Sequence, residues 1–217
     1  MYIVGDLMKS ILVEITCPTC LWHTHKPSDT VVIPEFEPDL KQQLEQEEFY
    51  AFTCPRCGTR ISFFHTCIYP DKQHHFVLLM KSEKEKKAAD HHLYADMSAT
   101  KRYISDARDI AEKIHILEEG FDDRVIEILK LKVYIYLKKQ QRYPNTLRYK
   151  DRDKQSETIW FSYTENDQED VLALTWESYL QVKQRMPEED TKKFHEINQR
   201  WALQHIKNLL INFISNF

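Results

Sequence analysis

The sequence predicts an α+β protein: a β-rich amino-terminal module followed by a mostly helical domain with one small β-hairpin. Three observations predict it. Residues 1–80 contain short β-branched and aromatic runs broken by turn residues. Residues 104–217 repeat apolar side chains at helical spacing. Between them, residues 81–103 are charged and carry little apolar periodicity.

In the first part, the strand candidates are Ser10–Thr16, Thr30–Pro34, Phe49–Thr53, Ile61–Ile68 and His75–Met80. A short helix fits Pro38–Glu48, with proline at its start, Asp39 in its first turn and Leu40 and Leu44 about one turn apart. Residues 81–103 read as a linker. A metal site at Asp90, His91 and His92 is the rival reading, but adjacent residues point in different directions on a helix or a strand.

In the last part, Ala107, Ile110, Ala111, Ile114 and Leu117 follow the helical pattern and Gly120 is a natural stop. Asp122–Lys139 fits two periods. Leu129, Leu131, Val133, Ile135 and Leu137 alternate like a strand, whereas Val125, Leu129, Val133 and Leu137 form a helical ladder. Without a turn residue between Phe121 and Arg142, one long helix is the better fit. Glu157–Thr164 and Asp170–Trp176 flank the turn-like E-N-D-Q-E and predict a hairpin. Ser178–Arg185 reads as a helix. Pro187 then opens a last helix to about Phe213, with Phe194, Ile197, Trp201 and Leu209 as its buried stripe.

Composition narrows the class. Hydrophobic residues make up 42% and aromatics 12% of 217 residues, enough for a packed core, and only 3 glycines argue against phosphate-binding loops. No uncharged apolar run approaches the roughly 18 residues of a membrane span. Asp6, Lys9 and Glu14 break the only apolar stretch before Cys17, so no secretory leader is expected. A cytoplasmic protein is the expectation, and in that compartment the 5 cysteines remain thiols or bind metal.

The sharpest motif is C-P-T-C at 17–20 paired with C-P-R-C-G at 54–58. Two residues between cysteines turn both thiolates towards one point, so two such knuckles offer four soft ligands in a tetrahedron. Cys17, Cys20, Cys54 and Cys57 are therefore expected to bind one structural Zn2+ per chain, in a zinc-ribbon-like, zinc-finger module. A disulfide pair or a redox C-x-x-C is the rival. Gly58 suits the left-handed turn after the second knuckle, where the first has Leu21. The 33 residues between the pairs hold the strand and helix placed at 30–48. Cys67 reads as a buried small hydrophobe, and His23 and His25 as surface residues that could also replace a weak cysteine ligand.

The C-P-x-C pairs, the segment P-E-F-E-P-D-L-K-Q-Q-L between them and F-T-C-P-R-C-G-T-R-I-S-F resemble the CpXC domain of prokaryotic proteins over about residues 11–80. E-K-I-H-I-L-E-E-G-F-D-D-R-V-I-E-I-L-K at 112–130 is similar to the extension attached to such domains. The resemblance implies metal binding at the four cysteines and no particular activity.

Charge is the second signal. From Lys130 to Lys154 nine basic residues stand against Asp151 and Asp153, an excess of seven in a chain of net charge −4. Tyr134, Tyr136, Tyr143 and Tyr149 are interleaved. Cations neutralise phosphates while aromatic faces stack on unpaired bases, which makes Lys138, Lys139, Arg142, Tyr143 and Arg148 a candidate RNA-binding surface. The alternative is a solvated face paired with acidic segments such as 35–48 or 165–170.

For catalysis, an Arg and a His separated by four to six intervening residues resemble the motif of one dimeric helical ribonuclease superfamily, the HEPN domains. Arg200 with His205, and Arg108 with His115, have that spacing. Residues five apart lie about 140° apart on a helix, so Arg200 and His205 would need a second subunit. His65, His74 and His75 are further acid/base candidates, with exposed strand histidines as the plainer account.

Two function classes follow. One is an RNA-directed protein, extending to a metal-independent ribonuclease effector of toxin or phage-defence type that works as a homo-oligomer. The other is a non-enzymatic module, stabilised by structural zinc, that binds protein partners.

Overall fold

The computed structural model describes residues 10–81 and 98–209. The chain divides into two compact units: Met1–Ala111 with Asp190–His195, and Glu112–Glu189 with Glu196–Phe217. The α+β expectation holds, with the cysteine-bearing sheets first and helices around a small antiparallel sheet later.

Among the described residues, the first unit holds three small sheets. Strand β1 (Ser10–Thr16) pairs antiparallel with β2 (His23–Asp29). After helix α1 (Pro38–Glu45), with proline at its start and Leu44 buried, β3 (Ala51–Thr53) pairs antiparallel with β4 (Arg60–Ser62). The third sheet has the order β5 (Cys67–Asp71), β6 (Phe76–Met80), β7 (Thr100–Ile104). Every residue of β5 and β6 is buried and, apart from Asp71 at the end of β5, apolar, so neither strand alternates.

Strand β7 lies parallel to β6. It falls in the segment read as a linker, of which residues 82–97, with Asp90, His91 and His92, lie outside the described residues. Lys101 and Arg102 on β7 are 1% and 2% exposed, a placement that charged residues reach only with partners. Lys101 Nζ donates to the Thr191 carbonyl (2.6 Å) and the Arg102 guanidinium to the Lys101 carbonyl (2.9 Å). His195 bridges to Arg102, and Phe194 joins Ile68, Val77, Leu79 and Ala99 in the core. Thr30–Pro34 forms no strand; Val31 makes one isolated bridge to Ile68.

Helix α2 (Ile110–Glu118) follows a 3-10 turn at Ala107–Asp109. It ends at Gly120 (φ 74°), where the N–H of Phe121 reaches back to Ile116. The second unit is organised on α3 (Asp123–Lys139), capped by the Asp122 side chain, which accepts from the Arg124 N–H. Its Val125, Leu129, Val133 and Leu137 are all buried, while Ile135 is exposed; the helical period wins over the alternation. These residues pack with Tyr149, Ile159, Phe161 and Tyr163 of the sheet β8 (Thr146–Asp153), β9 (Thr158–Glu165) and β10 (Gln168–Thr175). Asn166 and Asp167 both take positive φ (52° and 60°), the geometry of a two-residue hairpin turn. The expected hairpin is thus β9–β10, and β8 adds a third strand that its composition concealed.

Helix α4 (Trp176–Lys183) follows β10 directly. Pro187 does not open a helix; α5 starts at Gln199 and runs to Leu209. Ile197 is buried and Trp201 packs against the second core, whereas Phe194 belongs to the first unit. Among the described residues, no helix is long and apolar enough to cross a membrane.

Candidate metal centre

Each knuckle sits where one strand ends. Cys17 follows β1, and the Leu21 N–H donates to the Cys17 carbonyl (2.9 Å) while the Cys17 N–H donates to the Trp22 carbonyl (2.8 Å). Cys54 follows β3, and Gly58 and Thr59 repeat both bonds at 2.9 Å. Leu21 adopts φ 59° where Gly58 adopts 74°, so the first knuckle reaches the same backbone with a residue that resists it. Lys26 on β2 donates to the Ala51 carbonyl at the start of β3 (2.9 Å), which ties the two hairpins together.

All four cysteine sulfurs lie within 4.8 Å of one another. Cys17 Sγ is 3.5 Å from Cys57 Sγ, and Cys20 Sγ is 3.6 Å from Cys54 Sγ. Four ligands about 2.3 Å from a tetrahedral ion would be separated by about 3.8 Å, so the spacing fits a thiolate-bound metal. Cys17 and Cys54 are buried, Cys20 is half-buried and Cys57 exposed. The Thr59 hydroxyl donates to Thr19 Oγ1 (3.0 Å) and joins the two knuckles outside the sulfurs. Hydrogen bonding with the Thr59 side chain and backbone brings the Cys57 thiol down to about 6. At Cys20 the backbone hydrogen bond with Trp22 is outweighed by burial and the neighbouring sulfurs, which push it up to about 12.

Cys67 lies apart, fully buried on β5, where burial raises its thiol far above the ordinary range. The three histidines proposed for acid/base work are not exposed strand residues. His65 is buried in the loop before β5; its Nδ1–H donates to the Thr66 carbonyl (3.0 Å) and its Nε2 accepts from the Ser28 hydroxyl (2.8 Å). His74 sits in the β5–β6 turn with Nδ1 2.8 Å from Asp71, and His75 follows it with φ 57°.

The basic candidates are dispersed. Lys138 and Lys139 are exposed in the last turn of α3, Tyr143 is 58% exposed, and Arg148 is half-buried on β8. Arg142 donates to Glu165 (2.9 Å) and to Asp170 (3.3 Å) and lies over the Tyr163 ring. The Tyr143 N–H also donates to Glu165 (2.6 Å). The acidic segment at 165–170 therefore offsets part of the basic stretch.

Arg200 is exposed on α5. The His205 Nδ1–H donates to the Trp201 carbonyl one turn earlier (2.8 Å), and its ring stacks on Trp201 at 4.4 Å. Arg108 pairs with Asp106, and His115 with Glu119 (3.1 Å).

The sequence reading missed a buried network in the second unit. Lys113 Nζ lies 2.8 Å from Asp123 and 2.9 Å from the Ile197 carbonyl, and Lys130 lies 2.9 Å from Glu112 and 3.2 Å from Glu127. Asp123 and Glu127 one turn apart on the apolar side of α3 were its only trace.

Fold and site together define an α+β protein whose four clustered cysteines can hold a metal ion. The family model described as CpXC protein matches residues 15–130, and the chain belongs to that family. No curated protein and no solved structure matches it.

Proposed function

We propose that the four cysteines hold one structural Zn2+ and that the protein is a non-enzymatic module that binds other proteins. The observation behind this is the sulfur cluster: four soft donors at tetrahedral spacing select zinc and leave no coordination position for a substrate. Leu21 and Phe36 in the same unit are 77% and 81% exposed and so are open to contact with a protein partner. An RNA-directed role, including cleavage as a toxin or phage-defence effector, has less support. The Arg142 charge is taken up by Glu165 and Asp170, and His205 spends its Nδ1 proton on its own helix.

The test is elemental analysis of the purified chain, followed by chelation and an RNA-retention assay at low salt. One zinc per chain, loss of ordered structure in the first unit on chelation, and no RNA retained are the expected results. A metal-free folded chain would overturn the zinc assignment. RNA retention that falls steeply with salt would restore the RNA reading. Light scattering on the zinc-loaded chain then separates contact between copies from contact with another protein.

A further inference from the structure

The outer face of the β1–β2 hairpin gathers ligands that the four-cysteine centre does not use. Strand alternation turns Glu14 and Thr16 of β1 and His23 and His25 of β2 to the same exposed side. The register sets Glu14 opposite His25 and Thr16 opposite His23. The His23 ring is held between two groups, with Nδ1 3.2 Å from Thr16 Oγ1 and Nε2 3.4 Å from Glu14 Oε1. The His25 ring stands 5.7 Å from it, centroid to centroid, edge towards face.

We propose that Glu14, His23 and His25 form a second, exchangeable site for a divalent ion of intermediate softness, such as Zn2+, Ni2+ or Cu2+. Imidazole nitrogen and carboxylate oxygen are the donors such ions share. Two ligands each about 2.1 Å from a tetrahedral ion lie about 3.4 Å apart, which is the separation His23 Nε2 and Glu14 already have. Thr16 supplies the outer partner: a ligating histidine donates its second ring N–H to a fixed acceptor, and Thr16 Oγ1 is in that place. His25 completes the set by rotating an exposed side chain across a cross-strand pair. Three protein ligands leave a position for water or an incoming group, so this site exchanges its ion where the closed sulfur site retains it.

The experiment uses the full chain with its tightly held metal already counted. NiCl2 is titrated calorimetrically, and ring resonances of the histidines are followed by NMR. One further equivalent of Ni2+ should bind, broadening the His23 and His25 rings before those of the other histidines. His23→Ala/His25→Ala should abolish that equivalent while the count of tightly held metal stays unchanged. Thr16→Val should weaken it by about tenfold, the usual effect of losing an outer partner. Unchanged Ni2+ affinity in the double variant, or broadening that begins at other histidines in the wild-type chain, would overturn the site. The NMR result decides the matter even if a variant folds poorly.

Discussion

Lys113→Met is the most informative single substitution in the second unit. It keeps the aliphatic stem and removes the ammonium that touches Asp123 at 2.8 Å, the Ile197 carbonyl at 2.9 Å and, at 4.0 Å, Glu127. Lys113 and Asp123 are 3% and 0% exposed, so water cannot take the place of the lost partner. Breaking a buried pair from one side costs about 3–5 kcal/mol, because a buried charge loses its ion-pair partner. With a urea dependence of about 2 kcal/mol per molar, the midpoint should fall by roughly 1.5–2.5 M. Tryptophan fluorescence reads this unit well, since Trp160, Trp176 and Trp201 lie in it. Lys113→Met/Asp123→Leu should recover most of the loss, because an apolar pair avoids the desolvation of both charges. Lys41→Met, which breaks a pair with 27% and 41% exposed side chains, should move stability by no more than about 1 kcal/mol. A loss below about 1 kcal/mol for Lys113→Met, or a double variant no better than the single one, would refute the argument that the buried Lys113–Asp123 ion pair holds this unit together.

Two further predictions address the knuckles and the α3 cap. Leu21→Gly should stabilise the zinc-loaded chain by roughly 0.5–1 kcal/mol in thermal melts, since it relieves a left-handed backbone at an exposed residue. Gly58→Ala should cost about 1 kcal/mol although its new methyl meets nothing within 4 Å, because the strain lies in φ alone. At Asp122, burial is outweighed by Arg124 and Lys183, at 2.7 Å each, which hold its carboxyl below the usual range. A depressed folded pKa contributes stability above the unfolded value of about 3.9 and loses it as pH falls through the folded one. Asp122→Asn should therefore cost about 2 kcal/mol at pH 7, with the gap to wild type closing as pH falls below the unfolded value in urea titrations. A gap independent of pH would mean that the charge is not what matters there.

The parts legible in the sequence were those governed by neighbours along the chain. The C-x-x-C knuckles are local turns, and their spacing announces four converging sulfurs before any fold is known. Helix α3 was legible because an uninterrupted apolar ladder outcompetes alternation when no turn residue intervenes. The E-N-D-Q turn marked β9–β10 because Asn and Asp tolerate the left-handed backbone that a tight hairpin demands.

Strands β7 and β8 escaped for a different reason. T-K-R-Y-I reads as charged linker, yet Lys101 and Arg102 are buried because Thr191 and neighbouring carbonyls satisfy them, and no local signal reports a partner 90 residues away. T-L-R-Y-K-D-R-D is polar apart from Leu147 and Tyr149 and fully buries only Tyr149, so its strand character comes from pairing with β9. The same holds for the charges. Sequence by itself determined the set of four converging cysteines and the α+β class, since both follow from short-range spacing and period. Tertiary structure alone decided which charges are neutralised, setting Glu165 against Arg142 and Asp123 against Lys113, because Coulomb energy depends on separation and burial, which chain position does not encode.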